Sequence, residues 1–141
     1  MILSLKQNTN IEFYQCLGKL FYAIAATDNY IRDEELEKLK EVLDNEWMVL
    51  DNFCTTDKAT IINTFEWLLN DNEYDSEVCY NSFLSYKREH EELFESSMKA
   101  LILKTAGKIA SSFSRENKSE LIFLAKLSIE FKDKNTNSTS K

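Results

Sequence analysis

The sequence predicts an all-α fold, and three observations carry that expectation. The 141 residues include no proline and two glycines, too few of the residues that tight turns demand for a many-stranded β fold. Apolar residues recur at helical spacing along nearly the whole chain. Hydrophobic residues make up 43% and aromatics 12%, enough apolar material to offset the entropy of ordering one domain. The expected architecture is a single-domain bundle of about six helices over residues 1–131, with a disordered polar tail at 132–141.

Phe13, Leu17, Leu20, Phe21 and Ile24 share one face and set the first helix at about 10–27. After the polar break Asp28-Asn29-Tyr30, the pattern resumes with Leu36, Leu39, Leu43, Trp47 and Leu50 as a second helix. Ile61, Ile62, Phe65, Leu68 and Leu69 mark a third, opened by the cap candidates Thr55, Thr56 and Asp57. The run Asp71 to Ser76 interrupts, and Cys79, Phe83 and Tyr86 suggest a fourth. A long fifth helix follows from Phe94, Met98, Leu101, Ile102, Thr105 and Ile109. Leu121, Leu124, Ala125 and Ser128 lie on a sixth, with Ser114 as its cap candidate.

A faint internal repeat accompanies these elements. Laying Ile24-Ala25 over Ile109-Ala110 without gaps brings Glu35 onto Glu120, Leu36 onto Leu121 and Leu39 onto Leu124. Upstream, Leu17 falls on Ile102 and Phe13 on Met98. One reading is a pseudo-symmetric bundle of two helix-turn-helix units; the other is that any two amphipathic hairpins align this well.

The net charge is -7 and the isoelectric point is near 4.8. The 17 basic residues are scattered, so no basic stripe stands ready for a phosphate backbone and nucleic acid is not an expected partner. Cys16, Cys54 and Cys79 are odd in number, lack metal-type spacing and lie in or beside apolar segments. They read as small buried hydrophobes in a reducing compartment. The start MILSLKQNTN has neither a basic n-region nor an export-length apolar run. No segment approaches the roughly 20 apolar residues of a membrane span. A cytoplasmic protein without membrane insertion is expected.

The informative stretch runs from Leu20 to Leu36. An apolar helix ends at Thr27-Asp28, and Asn29 is suited to the left-handed conformation that closes it. Ile31 can plug the turn, and Asp33, Glu34 and Glu35 open the next helix, where its dipole favours carboxylates. A tight turn of this kind brings the Asp28 and Glu35 carboxylates near one another. With backbone carbonyls they could hold a hard divalent cation such as Ca, Mg or Mn. Equally, both are ordinary helix-end residues, each worth about 0.3–1 kcal/mol against the dipole.

The run Ile24-Ala25-Ala26-Thr27-Asp28-Asn29-Tyr30-Ile31-Arg32-Asp33-Glu34-Glu35 resembles the motif of TerB-like, tellurite-resistance-type helical domains, roughly I-A-x-A-D-G-x-I-x-x-x-E. The resemblance implies an all-helical, pseudo-symmetric fold with a second motif, which falls here on Lys108 through Leu124. It implies a metal-associated or protein-interaction module linked to bacterial stress responses. It further implies that Asp28 and Glu35 are the acidic motif positions, with Glu120 the second-half counterpart of Glu35. Three departures mark this chain. Asn29 stands for the usual glycine, Arg32 stands where a capping residue is typical, and Phe113 occupies the position matching Asp28. The motif covers about a dozen residues, and residues 45–95 carry no resemblance.

No catalytic constellation emerges. Asp71, Glu73, Asp75 and Glu77 alternate like the opening of an EF-hand loop, but Ser76 and Ser82 replace the required glycine and bidentate acid. His90 is the only histidine, and Lys87 sits where the glutamate of a di-iron Glu-x-x-His pair would stand. His90 therefore reads as an exposed helical residue. The aromatic residues, Tyr14, Tyr22, Tyr30 and Trp47 among them, read as core, while Phe65 and Trp67 could also line a partner groove. The expectation is a non-enzymatic binding module with a protein partner, cation-associated through Asp28, Glu35 and Glu120. The alternative is a metal-independent adaptor or scaffold.

Overall fold

From Leu20 to Ala26 every residue of the first helix is buried, and a helix apolar on all sides belongs at the centre of a domain. In the computed structural model this helix, α1 (Ile2–Ala25), is the element on which α3, α4 and α5 pack. The structure describes residues 2–26, 33–50, 53–71, 76–110, 122 and 124–131, with the side chains of 2–10, 33 and 34 set aside. The helices that follow it are α2 (Asp33–Val42), α3 (Thr55–Asp71), α4 (Ser76–Glu89) and α5 (Ser96–Ala110). A last helix, α6, spans 124–131. Among the described residues there is no strand, so the chain is an all-α bundle.

Contacts fix how the helices run. Tyr14 meets Phe53 just before α3, and Tyr22 meets Phe65 within it, so α1 and α3 run parallel. Between these points a Cβ on Gly18 would lie 2.7 Å from the Thr64 Cβ and 3.0 Å from the Ile61 carbonyl oxygen. The absent side chain is what permits so close a crossing. Against α4 the direction reverses: Phe13 stacks edge-on to Phe94 beyond that helix, Cys16 lies against the Phe83 carbonyl and Lys19 reaches Ser82. Helix α5 packs on α1 and also on α2.

Helix α2 does not run on unbroken. Its last turn widens into a π turn, Leu43–Trp47, closed by the Met48 N–H donating to the Leu43 carbonyl at 2.9 Å. The turn buries both Leu43 and Trp47 while Asp44 and Glu46 point outward. Asp44 then pairs with Lys58 of α3, and Glu46 lies 3.1 Å from Lys104 of α5. Aromatic contacts continue inward from Trp47 through Phe53, Tyr14 and Phe13 to Phe94, with centroid separations of 4.9–5.4 Å. Phe94 meets Phe83, and Phe83 meets Phe131 of α6.

Several expectations are corrected. The first helix starts at Ile2, not near residue 10, because no glycine or proline interrupts the run and each added residue contributes a backbone hydrogen bond. The core stripe of α6 is Leu124, Leu127 and Phe131, leaving Ala125 exposed. Cys16 and Cys79 are buried, but Cys54 is exposed because it precedes α3 at the surface. There its N–H donates to Asp57 Oδ2 at 3.1 Å, one half of a capping box, so Asp57 does help to open the helix. The repeat partners Leu17 and Ile102 are both wholly buried, as are Ile24 and Ile109. Glu120, Leu121, Ser114 and the tail at 132–141 lie outside the described residues.

Candidate functional site

The acidic turn between α1 and α2 was the strongest functional signal in the sequence. Helix α1 closes with the Ala26 N–H donating to the Tyr22 carbonyl at 2.8 Å. Two residues after the start of α2, Glu35 is fully buried, with 0% of its surface exposed. A carboxylate taken wholly out of water is costly unless donors or a cation compensate it. Its place in the first turn of α2 offers the positive end of the helix dipole. Asp28 and Glu120, the other two expected ligands, lie outside the described residues. Among the described residues no group of three His, Cys, Asp or Glu side chains comes together as a metal site. Of the three expected ligands the described residues supply Glu35 alone.

A second buried ion was not anticipated. Lys87 is 1% exposed, seated between α4 and α6. Its Nζ lies 3.1 Å from Glu130 Oε2 and 3.2 Å from Glu91 Oε2, and stands 5.8 Å from the centre of the Phe131 ring. Arg88 completes a fork on Glu130, with Nη2 at 2.9 Å from Oε1 and Nε at 3.2 Å from Oε2. The hydrogen bond from Arg88, aided by Lys87, holds the Glu130 carboxyl below its ordinary range despite partial burial. The sequence held a signal for Lys87. It continues the stripe of Tyr80 and Phe83, a place where a solvated lysine would not be expected.

The third feature is a hollow of about 390 Å³ lined by Gln15 and Lys19 of α1 and by Asn63, Thr64 and Trp67 of α3. Trp67 is 53% exposed at its edge. Phe65, by contrast, is wholly buried against α1 and cannot line a groove. Lys19 crosses from the hollow to α4, its Nζ donating to Ser82 Oγ at 3.1 Å.

His90 is not in a helix. It follows α4 and precedes a short 3₁₀ turn, Glu91–Leu93. Its ring stacks on Tyr86 at 4.1 Å, and its Nδ1 donates to the Tyr86 carbonyl at 3.1 Å. It is thereby half-buried and committed to local packing, a correction to the exposed helical position expected for it. Most of the acidic run at 71–77 lies outside the described residues. No helix among the described residues is long and apolar enough to cross a membrane. Comparison of the chain with models of known protein families, with curated proteins and with solved structures finds no match.

Proposed function

We propose that this chain is a non-enzymatic, TerB-like helical binding module that engages a protein partner in a stress response, with a divalent cation held at the α1–α2 turn. The observation that carries the reading is the burial of Glu35 at the motif position where the resemblance puts an acidic residue. A solvated surface carboxylate would have no reason to be there. A second reading keeps the adaptor and drops the ion. Its support is that Glu35 stands in the first turn of α2, where backbone N–H groups and the dipole stabilise a carboxylate without metal.

Thermal unfolding of chelator-treated protein, with and without Ca²⁺, Mg²⁺ or Mn²⁺, separates the two. An ion at about 100 times its dissociation constant adds about 2.7 kcal/mol of stability. A rise in melting temperature that disappears in Asp28→Asn supports the cation at the turn. Unchanged melting with every ion removes the cation and leaves the metal-independent adaptor.

A further inference from the structure

Lys87 occupies a core position on α4, one turn after the wholly buried Phe83, yet it carries a charge. An apolar side chain of similar size would fill the place without desolvating an ammonium. What encloses the lysine is α6, through Glu130 Oε2 at 3.1 Å and the Phe131 ring at 5.8 Å. Its other carboxylate, Glu91 at 3.2 Å, lies one turn further along the chain from Lys87 itself. With α6 seated, Lys87 is 1% exposed. With α6 lifted away, the ammonium would regain water and keep Glu91. The desolvation penalty therefore falls on the seated state alone and narrows the gap between α6 seated and α6 released.

Helix α6 is seated as a bound peptide would be. Over 124–131 it makes about two turns, too few to stay helical without a surface to hold them. Two anchors one turn apart enter the bundle: Leu127 is wholly buried and Phe131 is 3% exposed. The Phe131 ring meets Phe83 at 6.4 Å and Phe94 at 6.5 Å. Beside it Glu130 takes Lys87 and the Arg88 fork. Lys99 of α5 adds a third cation, 5.8 Å from the Phe131 ring. The chain as a whole has a net charge of -7, but this site gathers cations around an aromatic floor. Apolar anchors at helical spacing with a complementary charge beside them are how a groove recognises an amphipathic helix.

We propose that the groove lined by Phe83, Lys87, Arg88, Phe94 and Lys99 is a docking site for an acidic amphipathic helix of the protein partner, and that α6 is the intramolecular occupant which this helix displaces. The partner's helix carries the groups that α6 shows the groove to accept: an aliphatic residue, a carboxylate three positions on and an aromatic residue directly after it. The proposal rests on the binding-module reading but on no residue of the acidic turn, so it stands independently of the cation.

A fluorescein-labelled peptide copying residues 119–133, titrated with the full chain and followed by anisotropy, tests it. The parent should bind weakly, because its own tethered α6 competes at an effective concentration of about millimolar. Phe131→Ala and Glu130→Lys in the full chain loosen that competitor, and both variants should bind the peptide about tenfold more tightly or better. The peptide carrying Glu130→Lys should bind none of the three proteins. Hydrogen exchange by segment should show protection lost over 124–131 in the variants and kept in α1 and α3. A peptide that binds no protein while exchange shows α6 released overturns the proposal, and leaves the binding-module reading to the ion-dependent melting. Binding equal in parent and variants, or indifferent to Glu130→Lys in the peptide, overturns it by placing the peptide elsewhere. Variants that unfold throughout, or that keep α6 fully protected, overturn it too, since α6 is then a fixed part of the core.

Discussion

The indole Nε1 of Trp47 donates to the Thr105 hydroxyl at 2.9 Å, joining the π turn after α2 to the middle of α5. The Thr105 hydroxyl in turn donates to the Leu101 carbonyl, also at 2.9 Å. Both side chains are wholly buried, so the indole N–H depends on the Thr105 hydroxyl, which has the Leu101 carbonyl as a second partner. Thr105→Val keeps the shape and strands the indole N–H, at a cost of about 1–3 kcal/mol. Thr105→Ser keeps the hydroxyl and loses one methyl, at about 0.8 kcal/mol. Urea unfolding of the two variants should rank them in that order. Equal stability of Thr105→Val and the parent would show that this bond contributes nothing to the fold.

The two glycines make opposite predictions. At Gly18 a methyl group would collide with Thr64 and with the Ile61 backbone, so Gly18→Ala must push α3 off α1, costing about 1–3 kcal/mol. At Gly107, inside α5, an added Cβ meets nothing within 4 Å. Gly107→Ala should therefore stabilise the chain by about 0.5–1 kcal/mol through helix propensity. Melting temperatures of the pair should fall on either side of the parent, and a stable Gly18→Ala would contradict the close α1–α3 crossing.

The helices were legible in the sequence because helical periodicity is local. Phe13, Leu17, Leu20, Phe21 and Ile24 mark α1 by spacing alone, and all five are buried. Spacing put Lys87 on the stripe of Tyr80 and Phe83 but could not give what would enclose it. Lys87 and Glu35 are both charged residues inside helices, indistinguishable in kind from exposed neighbours such as Arg88 and Glu37. Their burial depends on which helix arrives opposite, α6 for Lys87, and that is a non-local fact. Trp67 shows the same limit from the other side. Its register differs from that of the wholly buried Phe65 by two positions, enough to turn it outward. A cation at the acidic turn was legible only as a possibility of chemistry, since Asp28 and Glu35 serve a helix end as readily as they serve an ion.

The cysteines give a chemical test of the packing. Burial pushes the Cys16 thiol up to about 12, and its sulfur rests 3.9 Å from the Phe83 carbonyl. It is therefore protonated and shielded at neutral pH, when nucleophilic attack requires thiolate. Cys79 is buried too, whereas Cys54 is exposed. A thiol reagent at pH 8 should label one cysteine quickly in the native protein and all three after denaturation, with the fast phase absent from Cys54→Ser. Two fast thiols would mean that α1 and α4 part readily around Cys16 or Cys79.

Acid should loosen α6 before it unfolds the bundle. Glu130 joins that helix to Lys87 and Arg88 of α4, and the Arg88 hydrogen bond foremost holds its carboxyl below the ordinary range. A carboxyl whose folded value is depressed contributes stability that is complete above its unfolded value, near 4.3, and lost as pH falls through the lower folded value. Protonation leaves Lys87 with Glu91 as its remaining carboxylate partner among the described residues, and Lys87 stays almost wholly enclosed beside Phe131. Glu130→Gln should reproduce that state at neutral pH, costing about 1–3 kcal/mol. The gap between variant and parent should then close as the solution is acidified. Lys87→Met should cost less than Glu130→Gln, because an apolar side chain suits the site and Arg88 still accompanies Glu130. Hydrogen exchange resolved by segment is the direct measurement, since α6 should lose protection in Glu130→Gln while α1 keeps its own. Uniform loss across all helices would show that α6 and the core unfold as one unit, and a pH-independent gap would exclude Glu130 as the titrating group.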